Sequence, residues 1–161
     1  MLWWEVLKVS TLAEDDPVNQ GYGQAGQLTF RPESLGLYAA RRSMWQLARE
    51  LELGADETMD LVMAVGEAIS NAFLYGSPDK TTNLIYLGWH FAGDMLTVTV
   101  KDCGPGFKHY TIEPGHDDST KFRGNGISLM HQCVDCVHFD LDDGTTVVLK
   151  KRTRSRQMQE A

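Results

Sequence analysis

A carboxylate and a carboxamide, Glu67 and Asn71, stand four residues apart in a segment rich in helix-forming residues. At that spacing two side chains of a helix lie one turn apart on the same face. A carboxylate can accept a proton or orient a water molecule, and an amide oxygen is a hard neutral ligand that suits Mg²⁺. The pair therefore fits proton transfer beside a magnesium ion, although an ordinary polar helix face would show the same spacing.

The segment 102–107 reads Asp-Cys-Gly-Pro-Gly-Phe and directly follows a predicted strand. Two glycines at this spacing, Gly104 and Gly106, let the backbone turn sharply and approach a ligand closely. The carboxylate of Asp102 can accept a hydrogen bond from an exocyclic amine such as that of adenine. Because ordinary turns also use Asp, Gly and Pro, this segment alone predicts either a turn or a base-binding site.

Two further stretches have the chemistry of a phosphate site and of a pocket wall. Residues 123–127 read Arg-Gly-Asn-Gly-Ile and open a predicted helix, whose first amides and partial positive charge attract an anion. Arg123 can add a charge-assisted contact. Gly144 and Thr145 enter the last predicted strand, where the Thr145 hydroxyl could complete a base pocket beside Asp102. A helix lead-in and plain strand residues would give the same patterns.

The elements that must position these residues follow from hydrophobic periodicity and turn chemistry. They are a strand over 27–30, helices over 33–53 and 56–75, strands over 82–91 and 95–101, a loop over 104–124, a helix over 124–135, and strands over 137–141 and 145–149. This order predicts an α+β two-layer sandwich, with a mostly antiparallel sheet and helices on one face. We expect a domain over 27–150, preceded by an N-terminal extension, 1–26, and followed by a basic tail, 151–161.

The helix that carries Glu67 and Asn71 has predicted ends and faces. Gly54 is predicted to stop the preceding helix, and Asp56 to cap the start of this one. Its apolar face should be core and its polar face should surround Glu67 and Asn71. The core positions are Val62, Val65, Ile69 and Phe73, and the polar face adds Asp60 and Ala64.

Composition excludes several classes of protein. The 161 residues are 42% hydrophobic and 23% charged, which fits one domain with a sizeable core. The formal charge is −7, and residues 1–149 hold ten basic against 21 acidic residues, a body that repels nucleic acid. No apolar run is long enough to cross a bilayer. Three cysteines are too few for a disulfide framework, which favours a reducing cytoplasm.

The four stretches occur in the order Glu67-x-x-x-Asn71, Asp102-x-Gly104-x-Gly106, Gly124-x-Gly126 and Gly144-Thr145. This order resembles the ATP-binding domain shared by DNA gyrase, MutL and sensor histidine kinases, a fold of the Bergerat type. Within that superfamily, the short loop and the small size look most like the bacterial anti-sigma factor serine/threonine kinases. The resemblance covers residues 27–150, which is most of the chain.

The resemblance implies ATP and Mg²⁺, and it implies a role for each matching position. Glu67 would be the general base, and Asn71 would coordinate the Mg²⁺ that bridges the phosphates. Asp102 would bind the adenine amino group with support from Thr145. The remaining matching positions would shape the pocket and meet the phosphates: Gly104, Gly106, Lys121, Arg123, Gly124, Asn125 and Gly126.

The resemblance also implies partners. This family transfers a phosphoryl group to a serine or threonine of an antagonist protein and sequesters a sigma factor, usually as a dimer. We therefore expect a cytoplasmic homodimer that binds a sigma factor and an antagonist, with no direct contact to nucleic acid or membrane. The alternative is an ATP-binding protein-interaction module without kinase turnover. A Glu67→Ala variant that binds ADP but transfers no phosphate would favour the kinase.

A different class of site is a metal centre in the string His131, Cys133, Cys136 and His138. Zinc needs four ligands that converge in a tetrahedron. This string leaves a predicted helix and enters a predicted strand, so its side chains would point in different directions. We therefore expect core or surface roles for these residues in place of a zinc site.

Overall fold

The computed structural model of the protein describes residues 8–10, 25–104 and 121–153. Its helices are α1 (Ser34–Glu50), α2 (Ala55–Leu74) and α3 (Lys121–Cys133). Its strands are β1 (Lys8–Ser10), β2 (Ala25–Phe30), β3 (Ile85–Ala92), β4 (Met95–Lys101), β5 (Cys136–Asp140) and β6 (Thr146–Arg152). The strands form one antiparallel sheet in the order β1-β2-β3-β4-β6-β5. The predicted α+β sandwich is confirmed.

The sheet has one buried face because apolar residues alternate along its strands. In β4, Leu96, Val98 and Val100 are buried while the residues between them are partly exposed. The register pairs Val98 with Leu149 and Val100 with Val147 of β6, so these side chains share a face. The hydrophobic core lies between that face and the helices.

Helix α2 lies between α1 and α3 and packs against the central strands of the sheet. Val65 and Ile69 are buried, as predicted, while Val62 and Phe73 are only partly buried. The prediction for Ala64 is wrong: this residue is fully buried and does not belong to a polar face. The reason is that α2 has a helix on either side as well as the sheet beneath it, so its apolar surface is wider than one stripe. None of the helices in the described ranges has the length and apolar character that a membrane crossing needs.

The connection between α1 and α2 differs from the prediction. Helix α1 ends at Glu50, and Glu52 turns the chain in the left-handed region with φ 52°. Gly54 therefore does not stop α1; it is the residue that precedes the first turn of α2. The cap predicted for Asp56 is also wrong. The Gly54 N–H donates to the Glu57 carboxylate at 3.3 Å, because the extended backbone at Gly54 directs its amide toward the third residue of the helix.

The other boundaries follow the prediction more closely. Strand β4 has the predicted bounds, β2 and β5 begin one or two residues earlier, and β3 begins three residues later. The three-residue strand β1 was not predicted. Helix α3 begins at Lys121 rather than at Gly124, and the predicted loop falls largely within 105–120, outside the described residues.

The basic residues near the end of the chain begin inside the sheet, because β6 continues to Arg152 and passes the predicted domain boundary at 150. Lys151 lies in the last part of this strand. Its Nζ donates to Asp60 Oδ2 of α2 at 3.0 Å and to the Cys133 carbonyl at the end of α3 at 2.9 Å. Only 12% of the Lys151 side chain is exposed. This lysine therefore ties the sheet to two helices.

We expect Lys151→Met to lower the free energy of unfolding by about 1 kcal/mol, since Asp60 and the Cys133 carbonyl lose a common donor while Asp60 keeps part of its solvation. Urea titration measures the change. The matched control is Lys101→Met, whose partner Asp143 lies 3.2 Å away with a side chain that is 95% exposed; its stability should hardly change. Equal losses in the two variants would contradict a special role for Lys151.

Candidate functional site

Asp102 lies directly after β4 and only 3% of its surface is exposed. Its Oδ1 accepts the backbone N–H of Gly104 at 3.0 Å and that of Thr145 at 3.1 Å. The Asp102 N–H in turn donates to the Thr145 carbonyl at 3.0 Å. Two of the four predicted stretches therefore meet at this carboxylate, because β4 and β6 are antiparallel neighbours and the end of β4 lies beside the start of β6.

The second oxygen of Asp102, Oδ2, receives no hydrogen bond from the described residues. Burial raises the pKa of this carboxyl above its usual 3.8, and the two backbone N–H groups on Oδ1 oppose that rise without overcoming it. A buried carboxylate with one free oxygen has the capacity to accept a hydrogen bond from a ligand donor. An exocyclic amine such as that of adenine supplies such a donor.

Gly76 brings the end of α2 against this carboxylate. Its N–H donates to the carbonyls of Asn71 at 3.3 Å and Ala72 at 3.1 Å, which closes the last turn of the helix. A Cβ at Gly76 would overlap the Asp102 carboxylate. The stretch that carries Glu67 and Asn71 therefore leads directly into the contact with Asp102.

Gly144 is required on the opposite side of Asp102. Its φ is +79°, in the left-handed region that favours glycine, and a Cβ there would overlap the Asp102 carbonyl oxygen. The contacts between Asp102 and Thr145 run through the backbone, whereas the sequence predicted support from the Thr145 hydroxyl. Thr145 itself is buried.

Glu67 connects the stretch that carries Gly124 and Gly126 to the other three. A Cβ at Gly126 of α3 would lie 2.6 Å from Glu67 Oε2, so the absence of a side chain lets α3 lie against this carboxylate. Glu67 and Asn71 are both half-buried. Within the described part of the chain, neither side chain takes part in a hydrogen bond or an ion pair.

Because α3 begins earlier than predicted, its two glycines occupy different positions in the helix from those expected. Gly126 is the sixth residue of the helix, where the backbone N–H bonds the carbonyl four residues earlier. The prediction that Gly126 opens the helix is therefore wrong, and its observed contact is with Glu67. The unbonded amides are those of the first turn, which includes Gly124. That turn also carries Lys121 and Arg123.

Several predicted site residues can be placed only in part. Asn125 is exposed on α3. The side chains of Lys121 and Arg123, and all of Gly106, lie outside what the structure describes. Sequence reasoning missed Gly76 as a site residue. The available signal was a glycine directly after the helix that carries Glu67 and Asn71.

We expect Gly76→Ala to weaken nucleotide binding about tenfold or more and to lower the free energy of unfolding by about 1–3 kcal/mol. The reason is that the added methyl group must displace the Asp102 carboxylate. Titration with a fluorescent ADP and urea unfolding measure the two effects. The matched control is Gly66→Ala in the same helix, where an added Cβ meets nothing within 4 Å. That variant should bind nucleotide normally, and its free energy of unfolding should rise by about 0.5–1 kcal/mol. Similar losses in both variants would contradict the contact.

The residues of the cysteine and histidine string lie in different environments. Cys133 is buried, and burial followed by the nearby Asp60 carboxylate raises the pKa of its thiol. Cys136 is exposed on β5 and His131 is exposed on α3. Among the residues that the structure describes, no three His, Cys, Asp or Glu side chains form a group that could hold a metal ion.

Comparison with known proteins gives a consistent family and fold. Residues 28–151 match the histidine kinase-like ATPase domain family. A serine-protein kinase RsbW of Listeria innocua is 29% identical over 142 residues, which cover 83% of this chain and 89% of that protein. An anti-sigma F factor of Clostridium perfringens is 26% identical over 136 residues, which cover 78% of this chain and 94% of that protein.

Two solved structures share the fold. The RsbU and RsbW domains of Rv1364c from Mycobacterium tuberculosis superpose with a TM-score of 0.59 at 18% identity, over 79% of this chain and 32% of that one. The histidine kinase domain of a blue-light activated histidine kinase from Erythrobacter litoralis superposes with a TM-score of 0.50 at 17% identity, over 76% of this chain and 61% of that one. Glu67, Asn71, Asp102 and Thr145 all lie within the matched family range of 28–151.

Proposed function

The chain belongs to the histidine kinase-like ATPase domain family, and on that premise we propose that it binds ATP, phosphorylates a serine or threonine of an antagonist protein and sequesters a sigma factor. The observation that carries the proposal is the meeting of four separate stretches around Asp102 and Glu67. The contacts at Gly76, Thr145 and Gly126 connect them. This convergence supports a common ligand that has a base at one end and phosphates at the other.

We assign the base end of the site to the region around Asp102. Its free Oδ2 accepts the exocyclic amine of adenine, while Oδ1 is held by the amides of Gly104 and Thr145. Those two backbone bonds fix the orientation of the carboxylate before the nucleotide arrives, which reduces the ordering cost of binding. From the resemblance we assign Gly106 to this end of the site as well.

The phosphate end is the first turn of α3. The amides of this turn and the positive end of the helix dipole attract phosphate oxygens. Gly124 allows close approach of the backbone, and the neighbouring side chains add charge and hydrogen bonds. We assign Lys121, Arg123 and Asn125 to these contacts.

The residues fit a magnesium ion at Asn71. Asn71 is half-buried one turn from Glu67, and its side chain has no hydrogen-bond partner within the described ranges. An amide oxygen together with phosphate oxygens and waters satisfies the preference of Mg²⁺ for oxygen ligands. When bound, the ion neutralises part of the charge that develops on the phosphates.

Glu67 acts on the attacking hydroxyl. Its carboxylate accepts the proton of the serine or threonine O–H, and the oxygen forms a bond to the γ-phosphorus. The bond from that phosphorus to the oxygen bridging the β- and γ-phosphates breaks, and ADP leaves with the electron pair. Transfer of this kind depends mainly on positioning and on charge neutralisation. The contact of Glu67 with Gly126 holds the base beside the helix that meets the phosphates.

The proposed partners are supported by the names of the relatives. The names of two relatives, serine-protein kinase and anti-sigma F factor, support a protein substrate and a sigma factor as the two partners. We place the protein in the cytoplasm as a homodimer, where ATP and the transcription machinery are present. The excess of acidic residues argues against direct contact with nucleic acid.

One pair of measurements tests the proposal. Fluorescent ADP is titrated with and without Mg²⁺, and γ-labelled ATP is then incubated with antagonist candidates encoded beside the gene. We expect saturable binding that Mg²⁺ strengthens, and label on a serine or threonine of one candidate. Binding without label on any candidate would favour an interaction module without turnover, and indifference to purine nucleotides at millimolar concentration would overturn the proposal.

A further inference from the structure

Ser77 has a buried hydroxyl that the site described above does not use. Only 1% of the residue is exposed, and its Oγ has no hydrogen-bond partner among the described residues. A buried polar group without a partner loses its hydration and gains nothing in return. Native proteins hold few such groups, and each requires an explanation.

The position of Ser77 ties it to the base end of the site. It directly follows Gly76, where a Cβ would overlap Asp102 Oδ2. Consecutive Cα atoms are about 3.8 Å apart, so Ser77 begins one residue from that carboxylate. The peptide between Gly76 and Ser77 also contacts the following loop, because a Cβ at Gly104 would overlap the Gly76 carbonyl oxygen.

Two polar atoms without a partner in the described chain, Asp102 Oδ2 and Ser77 Oγ, thus belong to one small region of the fold. A carboxylate oxygen only accepts hydrogen bonds, whereas a hydroxyl can also donate one. Adenine presents an amine donor next to ring-nitrogen acceptors, while guanine presents acceptors at the corresponding major-groove edge. An acceptor beside a donor therefore complements adenine better than guanine.

We propose that Ser77 is a specificity-determining residue of the nucleotide site, whose hydroxyl donates a hydrogen bond to the adenine ring nitrogen beside the amine that Asp102 accepts. This inference rests on the proposed function and extends it to the choice of base. In the absence of nucleotide the hydroxyl is a cost to the fold. In its presence the same hydroxyl gains a partner.

The first test combines affinity with stability. Ser77→Ala should lower the affinity for ATP about fivefold to tenfold, the effect of one net hydrogen bond, and reduce the preference for ATP over GTP. The unfolding temperature of the unliganded variant should be equal to or above that of the unaltered chain. The matched control is Ser43→Ala on α1, where the hydroxyl donates to the Ala39 carbonyl at 3.0 Å, far along the chain from the site; its ATP affinity should not change.

The second test identifies the contacted atom. The unaltered chain and Ser77→Ala are titrated with ATP, 1-deaza-ATP and 7-deaza-ATP, each of which lacks one ring nitrogen. The penalty of Ser77→Ala should disappear with one of the two analogues. Ser77→Cys, which keeps the volume but donates weakly, should show the same pattern and serves if the alanine variant does not fold.

The outcomes separate this inference from the proposed function. If the unaltered chain binds ATP and both Ser77 variants bind it equally well, the role of Ser77 is overturned while the proposed function stands. A penalty that persists with both analogues, or a fall in unliganded stability without a loss of affinity, also overturns the role. If the unaltered chain binds no purine nucleotide, the proposed function fails and this inference fails with it.

Discussion

Asp102→Asn is expected to lower the affinity for ATP by about 100-fold while the unliganded protein stays at least as stable at neutral pH. The amide oxygen of the new side chain can still accept the N–H groups of Gly104 and Thr145, which Oδ1 accepts at 3.0 and 3.1 Å. The amide nitrogen, however, takes the place of Oδ2. Two donors then face each other where a carboxylate met the adenine amine, so a charge-assisted hydrogen bond is lost.

In the unaltered chain, the stability that Asp102 contributes should depend on pH in a direction opposite to that of an ion-paired aspartate. Burial raises the pKa of Asp102 above 3.8, so the folded protein holds this proton more tightly than the unfolded chain does. The stability that Asp102 contributes is therefore complete below pH 3.8 and is lost as the pH rises through the raised folded pKa. Asparagine does not titrate. Urea titrations should therefore show that the free energy of unfolding of Asp102→Asn increases relative to that of the unaltered chain as the pH rises toward neutrality.

Asp140→Asn is the matched control for the affinity measurement. This carboxylate is exposed on β5 and accepts only the Asp142 N–H at 3.1 Å among the bonds described. Its replacement should leave the ATP affinity unchanged. Isothermal titration with ATP compares both variants with the unaltered chain. Equal affinity in Asp102→Asn and the unaltered chain would remove Asp102 from the base site.

The sheet was predictable where a local pattern had a single interpretation. Strand β4 has its predicted bounds because Leu96, Val98 and Val100 alternate with threonines and a turn precedes them. Strand β1 has only three residues, too few for a period to be recognised. The helix ends were harder, because Leu51 and Leu53 continue the apolar pattern of α1 after the helix has ended at Glu50. Periodicity records which residues are buried, not where the backbone turns.

The candidate site was predictable in its residues and not in its contacts. Glu67, Asn71 and Asp102 have side chains whose chemistry shows in the sequence. The roles of Gly76 and Ser77 depend on tertiary contacts, in a region set by the position of Asp102, which is 26 and 25 residues further along the chain. A glycine after a helix predicts a helix end whether or not a carboxylate packs on it. The tertiary contact alone shows the second role.

Glu67→Gln is expected to lower the rate of phosphoryl transfer by about 100-fold to 10,000-fold, the range of a general base. The affinity for ADP should change by less than about twofold, because ADP lacks the group that is transferred. Glutamine has the same shape as glutamate, so α3 can keep its contact with residue 67 through Gly126. It cannot accept the hydroxyl proton as a carboxylate does. Single-turnover labelling of the antagonist measures the rate, and fluorescent ADP titration measures the binding.

Glu50→Gln, at the end of α1, is the matched control because its carboxylate is exposed and accepts only from Gln46 at 2.8 Å among the bonds described. It should transfer phosphate at the normal rate. Loss of transfer with intact ADP binding in Glu67→Gln alone assigns the proton transfer to Glu67. Normal transfer in Glu67→Gln would leave positioning as the source of catalysis and remove this carboxylate from the mechanism. Loss of both transfer and ADP binding would instead make Glu67 a support for α3, since its observed contact is with that helix.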